Sequence, residues 1–183
     1  MLYHMWSGYV VLGLILFRIL WGLWGSETAR FSHFIHGPAS VLSYTRRLFK
    51  AGYMSTTGHT PLGGWSVISL LLVLATQAIS GLFANDDIAN EGPLYHLVRK
   101  ATSNILTLVH HYSFNVLLGL VVLHLAAIIF YRVKYREDLL KPMLTGNKTV
   151  EENSTAPMQS SFLLAIVMAL VAMATVYFVV TKL

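Results

Sequence analysis

The stretch ILTLVHHYSFNVLLGLVVLHLAAIIFY, residues 105–131, decides the fold. It carries no formal charge, and about 20 predominantly apolar residues already suffice for a helix to cross a hydrocarbon layer roughly 30 Å thick. His110 and His124 within it are 14 residues apart. That is close to four helical turns, so both imidazoles project from nearly the same face, about 21 Å apart along the axis. One histidine therefore falls near each boundary of the hydrocarbon. Polar side chains are costly at that depth, and an imidazole kept there serves most often in a proton path or as a metal ligand.

Composition points the same way. A hydrophobic fraction of 55%, a charged fraction of 11% and a mean hydropathy of +0.60 are not those of a soluble domain. The expected fold is an all-α integral membrane protein. Four segments are long enough to span: Met5–Trp24, Trp65–Phe83, Ile105–Tyr131 and Phe162–Val180. The first lacks a basic stretch before it and a small-residue cleavage site after it, so it reads as a retained span rather than a signal peptide. The absence of cysteine excludes disulfides, thiolate-ligated haem, covalent haem attachment and iron–sulfur clusters held by this chain. The formal charge of +5 arises mostly from basic residues flanking the spans, which set topology rather than bind nucleic acid.

Arg30, Arg46, Arg47 and Lys50 in the first loop, and Arg132, Lys134, Arg136, Lys141 and Lys148 in the third, place those loops in the cytoplasm. The middle loop, with Asp86, Asp87 and Glu91 ahead of Arg99 and Lys100, is then external, as are both termini. Gly8, Gly13, Ser69, Ala75, Ser80, Gly81 and Gly119 are candidates for close helix approach.

On this topology His4 lies at the outer end of the first span, level with His110, and His124 lies about 21 Å further in. Alone, His4 reads equally as an interfacial residue, and His124 as a buried histidine bonded to a neighbouring helix. Matching depth favours a ligand pair, with His4 and His110 as axial ligands of an outer haem. Bis-histidine ligation fills both axial positions and suits outer-sphere electron transfer. Gly8, four residues after His4 on the same face, would let a flat macrocycle approach the backbone. His111 is rotated well away from His124 and is the weaker candidate. Arg18, 14 residues after His4, either snorkels to the cytoplasmic interface or pairs with an inner-haem propionate.

Several stretches, taken in order, resemble the bacterial di-haem cytochrome b561 and nickel–iron hydrogenase cytochrome b family: LYHMWSGYVVLGLILFRILWG, ARFSHFIHGP, GHTPLGGW, VHHYSFNVLLGLVVLH and KPMLTGNK. The resemblance covers about the first 150 residues. It implies two b-type haems stacked across a bacterial cytoplasmic membrane, passing electrons between an extracytoplasmic redox protein (a dehydrogenase, hydrogenase or c-type cytochrome) and the quinone pool. His4 and His110 match ligands of the outer haem, and His124 matches one ligand of the inner haem. The family's other inner ligand comes from a further N-terminal helix. The expectation is therefore a longer natural protein, or a separate chain, that supplies it; His33, His36 and His59 are loop residues and poor substitutes for a rigid axial ligand. GHTPLGGW is an ordinary helix start, and in the resembling family it lies near the expected quinone.

Residues 1–150 thus form the haem-binding domain with three spans, and 151–183 form a linker and an accessory fourth span without histidine. Three functional classes stand at this point. The leading one is an electron-transfer subunit of an oxidoreductase; the others are a self-sufficient membrane oxidoreductase acting on superoxide or an external acceptor with quinone, and a haem-free membrane anchor.

Overall fold

The computed structural model describes residues 1–50, 59–136, 138–139, 141 and 160–182. The expected closing segment at 142–148, most of the linker after it and the boundary between residues 150 and 151 lie outside the described residues. Within them, every regular element is helical: α1 (Leu2–Trp24), α2 (Phe31–Phe34), α3 (Pro38–Lys50), α4 (Pro61–Leu82), α5 (Lys100–Tyr135) and α6 (Phe162–Lys182). Four of these, α1, α4, α5 and α6, are long and apolar enough to cross a membrane. A spanning segment must satisfy its own backbone hydrogen bonds, which is why each expected apolar run is one unbroken helix.

Helix α5 extends beyond its apolar run at both ends. Its 36 residues span about 54 Å, so its ends project past the hydrocarbon. Helix α4 starts where Thr60 accepts a hydrogen bond from the Gly63 N–H at 3.1 Å, with Pro61 in the first turn. It runs antiparallel to α5, and α1 packs on α4. Helix α6 lies against α1 through a stripe of Met168, Ala172 and Val176, spaced four residues apart. Close approach is possible because Gly13 presents no side chain: a Cβ there would lie 3.3 Å from the Met173 sulfur.

Two of the glycines expected at helix contacts do not serve there. A Cβ on Gly8 or Gly119 would meet nothing within 4 Å. Tight approach occurs instead at Gly64, against the Phe34 carbonyl, where the segment after α1 folds back on the start of α4.

The end of the bundle bearing His4 is closed by the connection between α4 and α5. Asn85 donates through its amide to Ser103 Oγ (2.6 Å) and Asn104 Oδ1 (3.1 Å), and Ser103 donates to the Phe83 carbonyl at 2.6 Å. Ser103 is fully buried. Leu94 of this connection joins Leu12, Leu82 and Val176 in a small core shared by α1, α4 and α6. The exposed turn that follows Asn85 is built around Asp86. Its carboxylate accepts from the Asn90 side chain and from the backbone N–H groups of Asn90, Ala89 and Ile88, which hold it well below the usual carboxylate range.

Candidate functional site

Every third or fourth residue of α5, from Ser103 through Thr107 and His110 to His124, Ile128 and Tyr131, faces the rest of the bundle, so α5 carries both histidines toward α4. His110 meets α4 at Gln77, and His124 meets it about three turns away at Ser66. Both rings are partly buried.

His110 is fixed at both ring nitrogens. Its Nδ1 lies 2.9 Å from the backbone carbonyl of Gln77, which can only accept, so the proton in that bond sits on Nδ1 and Nε2 presents its lone pair. The Gln77 side-chain amide donates to that Nε2 at 3.1 Å, and the Gln77 side-chain oxygen accepts from the Ser113 hydroxyl. A helical carbonyl is ordinarily hemmed in by the side chain four residues on. Here that residue is Gly81, whose Cβ would lie 2.9 Å from His110 Cε1. Glycine at 81 is what lets the imidazole reach the Gln77 carbonyl.

His4 of α1 comes to the same place. Its ring centroid is 5.8 Å from that of His110, with the planes at 85°. The equal depth expected from helical rise is therefore also lateral proximity. One turn along α1 is Gly8, where the added Cβ would meet nothing, so this flank of His4 is open. His111 points elsewhere and packs edge-on against Tyr112.

At the opposite end, Ser66 Oγ lies 3.2 Å from His124 Nδ1 and can hold that nitrogen's proton, leaving Nε2 available. Among the described residues no second imidazole makes a ring contact with His124. Arg18 reaches this end of the bundle from α1. Its Nη1 donates to the Ala29 carbonyl at 3.2 Å, and its guanidinium lies over the rings of Phe31 and Phe34, 5.0 and 5.6 Å from their centroids. His59, just before α4, packs at a tilt of 32° against Phe34 with ring centroids 4.7 Å apart. Its Nδ1 is buried without a hydrogen-bond partner among the described residues, and burial, then the Arg18 charge, push its imidazole below the ordinary histidine value. His33 faces Glu27 at 3.7 Å, and His36 Nδ1 bonds the Phe34 carbonyl at 2.9 Å.

Gln77, Ser113 and Ser66 were not singled out by sequence. The available signal was a glutamine in the otherwise apolar run LLLVLATQAISGL, since an amide at that depth must find partners.

A family model described as prokaryotic cytochrome b561 matches residues 1–146. No curated protein and no solved structure matches the chain.

Proposed function

Because the chain belongs to the prokaryotic cytochrome b561 family of b-type membrane electron-transfer proteins, we propose that it carries electrons across the bilayer through bis-histidine haem, between an extracytoplasmic redox protein and membrane quinone. The observation that carries this reading is the pair His4 and His110: imidazoles from different spans, 5.8 Å apart between centroids at one level of the bundle. When bound, the haem would supply one-electron redox chemistry.

The remaining work belongs to the protein. His110, its Nδ1 proton held by the Gln77 carbonyl, would be oriented and made more basic toward a metal at Nε2, the usual outer-shell arrangement for ligating histidine, once the Gln77 side-chain amide that donates to Nε2 gives way. Ser66 does the same for His124. The open flank at Gly8 leaves room for the edge of a macrocycle beside His4. In this reading His4 and His110 hold an outer haem b. His124 would be one ligand of an inner haem. Arg18 spends one of its five N–H donors on Ala29 among the described residues, and the others suit an inner-haem propionate. The basic residues gathered at the Arg18 end support a cytoplasmic placement of that end, and membership of a prokaryotic family supports a bacterial inner membrane.

The test is a pyridine haemochrome and reduced-minus-oxidised spectrum for wild type and for His4→Ala, His110→Ala and His124→Ala. The first two variants are expected to lose the same haem and the third a different one. Retention of the full haem content by His4→Ala and His110→Ala would overturn the assignment.

A further inference from the structure

Between the first two spans the chain forms a helix that lies outside the haem reading, α3. Taken from Tyr44 at 100° per residue, Leu48, Val41 and Thr45 fall within about 100° of one another, and Leu42 about 160° round. Arg46, Lys50 and Arg47 occupy the remaining arc. Leu48 is buried, whereas Leu42 at the edge of the apolar arc is 53% exposed.

The helix is strapped to the end of α5 by two tyrosines. Tyr44 and Tyr131 share a hydroxyl hydrogen bond at 3.2 Å, and Tyr135 donates to the Leu48 carbonyl at 2.8 Å. Arg132 and Lys134 on α5, and Arg136 just after it, flank those tyrosines. The described acidic residues at this end of the bundle are Glu27, which faces His33, and Asp138. The level of the membrane boundary is marked independently by Trp65 in the first turn of α4, which is 45% exposed and donates its indole N–H to the His36 carbonyl at 2.9 Å. A tryptophan half in apolar surroundings with its N–H bonded is typical of the headgroup level.

We propose that α3 lies in the headgroup layer and, with the last turn of α5, forms a binding site for the phosphate of an anionic glycerophospholipid. The exposed edge at Leu42, on a helix joined to the ends of α4 and α5, is one that acyl chains can cover. The cationic arc then faces the lipid phosphates, as in interfacial amphipathic helices generally. Each cation near such a surface contributes about fivefold in affinity for anionic lipid, reduced by salt.

The experiment uses the full chain in nanodiscs of phosphatidylcholine doped with phosphatidylglycerol, and reads the retained lipids by native mass spectrometry. Wild type is expected to retain phosphatidylglycerol over phosphatidylcholine by about tenfold or more, with the preference falling as salt is raised. Arg47→Gln should lose about fivefold, the triple variant R46Q/R47Q/K50Q should keep only the residual preference that Arg132, Lys134 and Arg136 supply, and R46K/R47K and the distant Arg99→Gln should match wild type. Inorganic phosphate at millimolar concentration should not displace the lipid. Equal retention of both lipids by wild type, a preference undiminished in the triple variant, displacement by inorganic phosphate, or displacement by an acidic soluble protein would each overturn the proposal. Should the triple variant fail to fold, Arg47→Gln and the salt series on wild type decide the matter.

Discussion

The imidazole of His110 rests against the backbone of Gly81, so close that a single added carbon would lie 2.9 Å from its Cε1 and 3.1 Å from its Nδ1. Gly81→Ala must therefore shift the ring or separate α4 from α5. The expected cost is about 1–3 kcal/mol, as for other overpacked contacts. The hydrogen bond to the Gln77 carbonyl weakens with it, so ligand basicity falls. In the haem reading, one of the two midpoint potentials moves while the other stays, measured by redox titration of the purified protein. Equal movement of both, or of neither at unchanged stability, would count against His110 as an axial ligand.

Ser66→Ala removes the hydroxyl beside His124 Nδ1 and nothing else of comparable size. Interhelical hydrogen bonds within membranes contribute about 0.6 kcal/mol on average, so thermal stability should fall only slightly. The inner haem's spectrum or potential should respond more than stability does, because the hydroxyl orients a ligand. A variant that changes the His4–His110 haem instead would show that the two histidines do not report on separate sites.

At Gly13 α6 approaches α1 closely, with Met173 and Val176 facing it. Gly13→Leu should lever the two helices apart at about 1–3 kcal/mol, read as a lower Tm in detergent. Because α6 carries no histidine, haem content per folded chain should stay at the wild-type value. Loss of haem in proportion to the lowered Tm would give the fourth helix a share in the site rather than an accessory place.

How much of this was legible in the sequence differs between levels. Span positions were readable to within about five residues, because hydrocarbon thickness fixes the length of an apolar run and charge ends it. The overrun of α5 to Lys100 was not, since Ser103 and Asn104 read as polar loop until Asn85 is seen to bond them. Depth was readable too: rise per residue sets His4 level with His110. Rotation about each helix axis was not, because packing alone decides it, and neither Gln77 as partner nor the open space at Gly8 follows from spacing. Helix α3 was hidden for another reason. Only 13 residues long, it draws its apolar arc from the tyrosine contacts with α5, which lie 87 residues away in sequence.

His59 provides a pH test independent of any cofactor. Burial first, and then the neighbouring charge of Arg18, hold its imidazole below the ordinary histidine value of about 6.5. Between that depressed folded value and the ordinary one, the unfolded chain binds more protons than the folded chain, so stability falls as pH falls through this window. Above it both states are neutral and His59 contributes no pH dependence. Lowering the pH from about 7.5 to 5.5 should therefore reduce the Tm of wild type more than that of His59→Gln. Allowing for the ring's partial contact with solvent, the difference corresponds to no more than about 1 kcal/mol. Superimposable pH profiles for the two proteins would mean that the ring takes up its proton without leaving its place against Phe34, and that Arg18 is too well screened to oppose it.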